Sequence, residues 1–443
     1  MKVTQMPCDP GPAGWNAILP APDDSAMLET RITADWLVIG GGFAGLAAVR
    51  RLSQLHPNAR IVLLEAKRIA QGPAGRNSGF MIDLPHDLSS DDYGGALEAD
   101  LAQTRANRHA ISFARDMAQE FGLSDEAFIL SGKTNAAASE KGHQHNLDYA
   151  AHLSTMGEAH EALDAAQMHE LTGSRYYQSG LYTPGTAMIQ PALFVRGVAA
   201  GLRSNRVQIF EDSPVTGLDR QGEWVATTPK GAVSAPKVIL AVNGHANSFG
   251  YFKRQLLHVF LYASMTRALT PDEIRSLGGA ARWGVTPSDP LGSTVRRISG
   301  TGGDRVVVRN RVTCDPGLKI STARVQAMGR SHDASFAARF PMLNGVGMEY
   351  RWGGRLCLSW NGTPALGKVD EGLYSACCQN GLGTAKGTLH GMLMAELASG
   401  VGSDLLDQVM DHEAPRRLPP RPMTWLGANA VMRWGEYKAG PEL

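Results

Sequence analysis

Short runs of consecutive apolar residues, separated by stretches with helical spacing, recur along the chain. The first run covers residues 36–39, and it is followed by a helical stretch at 46–55 and a second run at 61–64. A later strand-like segment, Val-Gln-Ile-Phe, occupies residues 207–210, and a further apolar run occupies residues 238–242. Runs this short are typical of strands that a parallel sheet buries on both faces. The pattern therefore predicts an α/β protein whose parallel sheet is assembled from distant parts of the chain.

The segments between the early and late runs have a different pattern. Helical spacing extends from about residue 96 to 121 and again from 141 to 171, with strand-like residues 128–130 between them. A second intervening segment contains β-type runs at 259–265 and 305–309. These segments predict a second domain, interleaved with the first and built largely on an antiparallel sheet.

The predicted fold is a Rossmann-like nucleotide-binding domain with an interleaved α+β substrate (cap) domain. A chain of 443 residues is long for one hydrophobic core, which agrees with two domains. The nucleotide-binding domain is assigned to residues 30–80, 186–245 and 351–410, and the cap domain to residues 81–185 and 246–350. Residues 1–29 and 411–443 are expected to be terminal extensions that pack on the nucleotide-binding domain.

A glycine-rich turn follows the first apolar run, in the order Gly-Gly-Gly-Phe-Ala-Gly over residues 40–45. In a βαβ unit, Gly40 permits the tight turn, Gly42 lets the backbone approach a diphosphate, and Gly45 lets the next helix pack closely on the sheet. The diphosphate would lie at the helix N-terminus. The residues expected to bind a dinucleotide here are Gly40, Gly42, Phe43, Ala44, Gly45, Glu65 and Ala66.

An acidic residue follows the second apolar run at the spacing that dinucleotide-binding folds use. Glu65 stands twenty residues after Gly45 and can accept hydrogen bonds from both ribose hydroxyls of an adenosine. A carboxylate at this position would repel a 2′-phosphate, which argues against NADP. The alternative is a glycine-rich turn in an ordinary βαβ unit with no ligand.

Composition excludes several other classes of protein. The 43 basic and 42 acidic residues give a formal net charge of +1, so nucleic acid is not an expected partner. The five cysteines have no metal-binding or disulfide-framework spacing, and no metal site is expected. The amino-terminal residues lack a secretory-signal pattern and no apolar stretch reaches membrane-spanning length, so a cytoplasmic location is expected.

Four blocks of the sequence resemble the D-amino-acid oxidase superfamily of FAD enzymes, especially glycine/sarcosine-oxidase-like and gamma-glutamylputrescine-oxidoreductase-like members. The first is the glycine turn with Glu65. The second is the run Gly-Arg-Asn-Ser-Gly at 75–79, and the third joins Ile-Gln-Pro at 189–191 to the strands at 207–215 and 238–244. The fourth extends from Trp-Gly-Gly at 352–354 to residues 383–384. The resemblance implies FAD as the cofactor, held without a covalent bond.

The resemblance also assigns further cofactor contacts. It places the 75–79 loop along the cofactor near the flavin and gives the backbone of residue 215 to the adenine. The residues implied are Arg76, Asn77, Ser78, Gly79, Val215 and Gly244. A glycine-rich entry to a helix near residue 383 would present free N–H groups to the pyrimidine end of the flavin. The residues at this entry are Gly381, Leu382, Gly383 and Thr384.

The chemistry that the resemblance implies is oxidation of a C–N bond in a small amine or amino acid, with hydride transfer to flavin N5 and hydrolysis of the imine. Oxygen or another acceptor would reoxidise the flavin. Arginines near a cap hairpin favour an anionic amine. The candidate catalytic or substrate-binding residues are Met81, His86, Tyr262, Arg297, Arg309, Trp360 and Asn361.

Two other functions and one chemical detail stay open. A flavin monooxygenase using NAD(P)H also carries a glycine turn followed by an acid, although the late glycine–aspartate motif of that class is not matched here. A non-catalytic subunit that holds FAD is the other alternative. Cys357 stands where some sarcosine oxidases attach FAD covalently, although a buried structural cysteine is the favoured interpretation. The sequence does not identify the amine or the oligomeric state.

Overall fold

A computed structural model describes residues 1–22, 25–85 and 95–443 of the chain. Its strands are β1 Arg31–Thr33, β2 Trp36–Ile39, β3 Ile61–Leu64, β4 Phe80–Met81, β5 Phe128–Leu130, β6 Lys133–Ala137, β7 Glu161–Leu163, β8 Ser179–Thr183, β9 Ala187–Ile189, β10 Val207–Phe210, β11 Gly217–Gln221, β12 Glu223–Thr227, β13 Ala232–Ala235, β14 Lys237–Leu240, β15 Leu256–Thr266, β16 Trp283–Pro287, β17 Thr294–Ile298, β18 Arg305–Cys314, β19 Met348–Ser359, β20 Ala365–Asp370 and β21 Leu373–Cys377.

The α-helices pack on and between these strands. They are α1 Gly14–Ala17, α2 Phe43–Leu55, α3 Leu97–Glu120, α4 Glu140–Met156, α5 Ala165–Thr172, α6 Pro191–Leu202, α7 Pro271–Leu277, α8 Thr322–Arg339, α9 Ala385–Ser399, α10 Asp404–Met410 and α11 Arg421–Ala439. Within the described ranges, no helix combines the length and the apolar character that crossing a bilayer requires.

The first apolar runs form the centre of a mostly parallel sheet. Its strand order is β10-β3-β2-β14-β21-β20, and neighbouring strands are parallel except for the pair β20–β21. The four residues of β2 and the four of β3 are all buried, because helices cover one face of the sheet and further strands the other. The α/β fold class predicted from the sequence is confirmed.

A larger, mainly antiparallel sheet is built from the intervening segments together with β19, most of which sequence analysis assigned to the nucleotide-binding domain. Its strand order is β19-β15-β18-β17-β16-β6-β8-β7, with β16–β6 as a parallel pair. Strands β15 and β19 are long, and they pair antiparallel from Leu256↔Ser359 to Thr266↔Met348. This sheet is the predicted cap sheet, and its strands β15 and β18 form one wall of the cavity described below.

The C-terminal helix α11 lies against the larger sheet, whereas residues 411–443 were expected to pack on the nucleotide-binding domain. The buried carboxylate of Glu436 accepts hydrogen bonds from Arg311 Nη1 and from the backbone N–H of Val312, both at 2.9 Å. The side chain of Asn429 exchanges hydrogen bonds with the backbone N–H and C=O of Cys314 at 3.1 Å. These polar contacts to the end of β18 fix the helix, and apolar patterning gave no sign of them.

Candidate active site

A single cavity of about 550 Å³ joins the glycine-rich turn to the large sheet. Most of the residues that sequence analysis assigned to the cofactor line it. They are Gly40, Gly42, Phe43, Ala44, Glu65, Ala66, Arg76, Asn77, Ser78, Val215, Gly244, Gly381, Leu382, Gly383 and Thr384. The cavity therefore collects residues that lie far apart in the sequence.

The first turn of α2 faces this cavity with its backbone N–H groups. The N-cap residue Gly42 has an extended conformation and no side chain that could cap the helix. Gly40 has φ +106°, and a Cβ there would lie 2.5 Å from the carbonyl oxygen of Ala241. Uncapped N–H groups at the positive end of a helix form an anion site, so the turn fits a diphosphate.

Gly45 has a packing role and does not line the cavity. A Cβ at this position would lie 1.8 Å from the carbonyl oxygen of Gly40. The residue therefore allows α2 to approach β2 closely, as its place in the motif requires. Gly45 therefore contributes to the cofactor site indirectly, by supporting the turn whose residues line the cavity.

Glu65 ends β3 beneath the glycine turn. Its Oε2 accepts the N–H of Gly41 at 2.7 Å, and its Oε1 accepts the N–H of Lys67 at 3.0 Å. Burial raises the pKa of the Glu65 carboxyl, while the hydrogen bonds from the backbone oppose this shift. Each carboxylate oxygen can accept a second hydrogen bond, which suits the two hydroxyls of a ribose.

The loop at 75–79 is held rigidly along the cavity. Arg76 is buried; its Nε donates to the carbonyl oxygen of Gln71 at 2.8 Å, and its Nη1 donates to that of Gly353 at 3.2 Å. Trp352 Nε1 donates to the backbone oxygen of Arg76 at 3.0 Å. Burial lowers the pKa of Arg76, whose guanidinium nevertheless stays paired with backbone oxygens. The loop thus presents a fixed surface to the cofactor.

Gly79 closes this loop outside the cavity lining. It has φ +80°, and a Cβ there would lie 1.9 Å from Arg296 Nη1, which donates to the carbonyl oxygens of Ser78, Gly79 and Ile189. Arg296 is a residue that the sequence did not single out. Its burial lowers its pKa to about 9, and its guanidinium lies 5.2 Å from the Trp15 ring. Gly79 therefore supports the conformation of the loop and does not itself line the cavity.

A second helix N-terminus faces the other end of the cavity. Helix α9 begins after Thr384, whose hydroxyl donates to the carbonyl oxygen of Phe80 at 2.6 Å and does not cap the helix. A Cβ added to Gly383 would meet no described atom within 4 Å. The N–H of Lys386 donates to the carbonyl oxygen of Leu382 at 2.9 Å, and the positive end of the helix still favours an electron-rich group such as the pyrimidine edge of a flavin.

Together, the N-termini of α2 and α9 and the carboxylate of Glu65 fit a bound FAD. The α2 end would hold the diphosphate, Glu65 the ribose, and the α9 end the flavin, with Arg76 along the ring system. The open space beside Gly383 is a cradle that a side chain would fill. Two positive helix ends in one cavity also favour an electron-rich ligand.

The large sheet supplies the remaining wall, and two of the candidate residues predicted from the sequence lie on it. Tyr262 on β15 and Arg309 on β18 both line the cavity. Tyr262 Oη lies 2.7 Å from Thr313 Oγ1, and burial raises the pKa of this phenol. The register of β15 against β18 shifts between Leu261 and Tyr262.

Several polar residues of this wall were missed from the sequence because they belong to no motif. Asn310 lines the cavity beside Arg309, and its buried Oδ1 has no hydrogen-bond partner among the described residues. Its Nδ2 donates to Ser293 Oγ at 2.9 Å. Thr286 also lines the cavity and donates to Asn135 Oδ1 at 2.7 Å. The polar run Arg-Asn-Arg at 309–311, which follows three valines in β18, was the available signal for Asn310.

Two further candidate residues, Arg297 and Met81, do not line the cavity. Arg297 is buried beneath the hairpin, where it donates to the carbonyl oxygen of Ala280 at 3.2 Å and pairs with Asp304 at 3.2 Å. Met81 is buried in the core between Phe80 and Ile82, which do line the cavity.

The two candidates that follow β19 lie beyond the cavity. Trp360 is 65 % exposed, because β19 ends at Ser359 before the chain turns outward. Asn361 Nδ2 donates to the carbonyl oxygen of Ala414 at 3.2 Å, outside the cavity lining. His86 lies outside the described residues.

Cys357 is not among the residues that line the cofactor cavity. Arg355, Leu356 and Leu358 line the cavity, whereas Cys357 lies outside the lining. There it is buried beside Cys377 and Cys378, and burial raises its pKa well above the ordinary value. The burial of this thiol outside the cavity lining supports the interpretation of Cys357 as a structural residue.

Comparison with known proteins agrees with this geometry. A family model described as FAD dependent oxidoreductase (DAO) matches residues 35–397. The chain is 25 % identical over 395 residues to gamma-glutamylputrescine oxidoreductase of Escherichia coli, with 86 % of each chain covered. It is 24 % identical over 387 residues to a probable oxidoreductase OrdL of Haemophilus influenzae, with 83 % of each covered.

A solved structure shows the same fold. The crystal structure of glycine oxidase from Geobacillus kaustophilus matches with a TM-score of 0.68 and 19 % identity, over 86 % of this chain and 100 % of that one. The chain belongs to the DAO family of FAD-dependent oxidoreductases, and FAD is its cofactor. The family resemblance of the sequence is confirmed.

Proposed function

We propose that the protein oxidises the C–N bond of a small amine that carries a negatively charged group. One observation carries this proposal: the cavity that holds the cofactor residues continues to Arg309 and to the unpartnered oxygen of Asn310. The names of the relatives support it. One is called a gamma-glutamylputrescine oxidoreductase and one solved structure a glycine oxidase, and both names denote substrates with an amine.

Arg309 would bind the anionic end of the substrate. The next arginine along β18, Arg311, pairs with the buried Glu436 at 2.9 Å. A guanidinium in a largely apolar cavity binds a carboxylate through two parallel hydrogen bonds. It would fix the distance between the substrate anion and the reacting carbon.

Asn310 and Tyr262 would bind the nitrogen end. The buried Oδ1 of Asn310 needs a donor, because a buried acceptor left without one is costly. An amine N–H supplies that donor. Tyr262 Oη can donate one hydrogen bond and accept another, one of them shared with Thr313.

FAD, when bound, accepts the hydride from the carbon next to the amine, and the resulting imine hydrolyses in water. The residues of the chain position the substrate and keep water away from the reacting carbon. Apolar side chains on β15 and β18, including Leu261, Val307 and Val312, form much of the cavity wall. They exclude water around the reacting carbon, and the positive charge of Arg309 favours the neutral form of a nearby amine.

Substitution of Arg309 tests the substrate class. The variant Arg309→Met keeps the volume but loses the charge, and we expect the KM for an amino-acid substrate to rise about 10- to 100-fold. For an amine of similar size without an anionic group, KM should change little, because only the contact with the anion is altered. The variant should therefore no longer prefer the anionic substrate. The exposed Arg275 on α7 provides the control Arg275→Met.

A panel of amines defines the reaction itself. Glycine, sarcosine, proline and gamma-glutamyl amines would be mixed with the protein without oxygen, and flavin reduction would be recorded. The proposal is supported if anionic amines reduce the flavin of the wild type and if Arg309→Met no longer prefers them to amines without an anionic group. Equal KM values in wild type and Arg309→Met, or reduction by NADPH alone, would overturn it.

A further inference from the structure

The outer face of α11 carries an unusual concentration of exposed apolar side chains. Six of the thirteen large apolar side chains exposed in the described residues lie on this one helix of 19 residues. Met423, Leu426, Trp434 and Tyr437 are 65 %, 61 %, 62 % and 77 % exposed. Their spacing, with Ala430 between, follows intervals of three and four residues and therefore forms one stripe. Such a stripe marks an interaction surface.

The opposite face of α11 fixes the direction of this stripe. Asn429 and Glu436 bind the end of β18 through hydrogen bonds of 2.9–3.1 Å. The helix is therefore anchored by polar groups toward the protein while its aromatic residues point outward. Trp434 and Tyr437 also stack on each other, with ring centroids 5.7 Å apart. A helix that needed only to fill space on the protein would show the reverse pattern.

The exposed charge around the stripe is positive. On α11 the exposed charged side chains are Arg421, Arg433 and Lys438, whereas its one acid, Glu436, is buried. Arg416 and Arg417 precede the helix and are exposed as well, although Arg416 pairs with the exposed Glu413 at 2.9 Å. The whole chain has a net charge of only +1, so this end of the molecule is locally basic.

We propose that α11 docks the protein on the surface of an anionic lipid bilayer. A helix with an apolar stripe, aromatic residues and flanking basic residues is suited to lie in the interface plane. Tryptophan and tyrosine favour the headgroup level, and basic side chains bind anionic headgroups. A second copy of the chain is a poorer occupant, because stripe-to-stripe contact would bring Arg433 and Lys438 close to like charges.

Docking would bring one wall of the cavity to the lipid. Val431 and Met432 of α11 line the cavity, and Val431 is also 71 % exposed. The helix that would rest on the bilayer therefore separates the lipid surface from the substrate wall.

Vesicle co-sedimentation tests the proposal on the intact, FAD-loaded protein. Vesicles of phosphatidylcholine would be compared with vesicles in which part of the lipid is phosphatidylglycerol. We expect the wild type to pellet with the anionic vesicles and to remain in solution with the neutral ones. Higher salt should release it, because headgroup attraction is screened.

Matched variants separate the apolar and the charge contributions. The triple variant Leu426→Ser, Trp434→Ser, Tyr437→Ser should bind anionic vesicles at least about tenfold more weakly. The pair Arg421→Gln, Lys438→Gln should also weaken binding. Leu147→Ser removes another exposed leucine, 46 % exposed on α4, and should bind like the wild type. Unchanged FAD content and melting temperature would show that the variants are folded.

Three results would overturn the proposal. The first is a wild type that stays in solution with anionic vesicles, and the second is a folded triple variant that binds as tightly as the wild type. The third is a concentration-dependent dimer that the triple variant abolishes, with no vesicle binding, which would assign the stripe to a second copy of the chain.

Discussion

Three charged side chains form the working parts of this cavity. Glu65 receives backbone N–H groups, Arg76 gives its protons to backbone oxygens, and Arg309 stands in the cavity wall. Each of these charges is placed by a neighbouring backbone segment, so its position follows from the fold. Cofactor affinity and substrate preference therefore depend on these individual side chains.

Glu65→Gln should weaken FAD binding about 10- to 100-fold, because the variant loses the negative charge and replaces one of two acceptor oxygens with an NH2 group, which cannot accept a hydrogen bond from Gly41 or from a ribose hydroxyl. Fluorescence titration of the apoprotein with FAD measures the change. Glu29→Gln is the control, since Glu29 is 65 % exposed and pairs only with Lys230 at the surface. Equal affinity of Glu65→Gln and wild type would remove the ribose assignment.

Lys133 gives a stability prediction that depends on pH. Burial lowers its pKa from 10.5 to about 8, while Asp83 opposes the shift. Between these values the unfolded chain binds a proton that the folded chain does not, so this group makes stability rise with pH from about 8 to 10.5. Below pH 8 the folded state carries the full penalty, roughly 3 kcal/mol.

Lys133→Met removes that titration. The melting temperature of Lys133→Met relative to wild type should be highest below pH 8 and fall as the pH approaches 10.5. Thermal melts at several pH values measure this difference, with the half-exposed Lys141→Met as the control. A difference that stays constant across this range would show that Lys133 does not titrate as described.

At the scale of elements, two helix N-termini converge on one cavity. Helix α2 begins at Phe43 and α9 at Ala385, and neither first turn is capped by a side chain. The sequence predicted both helices, because glycines preceded each of them. It placed the start of α2 three residues late, since Phe43, Ala44 and Gly45 read as part of the turn.

Gly383→Ala tests the cradle at the start of α9. A Cβ there meets no described atom within 4 Å, so the apoprotein should keep its melting temperature. The added methyl should enter the space assigned to the flavin and lower FAD affinity several-fold. Gly402→Ala is the matched control, because its Cβ is also free of contacts and Gly402 lies outside the cavity lining. Undiminished FAD affinity in Gly383→Ala would place the flavin elsewhere.

The strands of the parallel sheet were predictable and those of the cavity wall were less so. β2, β3, β10 and β14 are short apolar runs, and burial on both faces leaves a clear signal in the sequence. β17 is different, because it buries Arg296 and Arg297 within five residues. Their positive charge suggests an exposed hairpin, whereas the structure pairs both with carbonyl oxygens.

At the scale of the whole molecule, the site was only partly predictable because it combines local motifs with residues that only tertiary packing brings together. Motif residues such as Glu65 and Gly383 were found because their spacing is set by local chain geometry. Asn310 and Thr286 were missed because only tertiary packing brings them to the cavity. Trp360 was misplaced by the same cause, since the sequence does not show where β19 ends.

The attachment of α11 gives a prediction at this scale. Glu436 is buried and accepts from Arg311, Arg433 and the N–H of Val312 at 2.7–2.9 Å. Glu436→Ala leaves these donors unpaired and should cost about 3 kcal/mol of stability. Chemical denaturation measures the loss, and the exposed Glu413→Ala is the control. A variant as stable as wild type would mean that α11 is not fixed by this contact.

The most direct test of the central claim is anaerobic reduction of the FAD-loaded protein by an amine. The account predicts that the yellow flavin absorption bleaches when an anionic amine such as an amino acid is added, with no NADPH present. It also predicts that admission of an electron acceptor restores the colour and releases a carbonyl product. A flavin that no amine bleaches, or that only NADPH bleaches, would contradict the account.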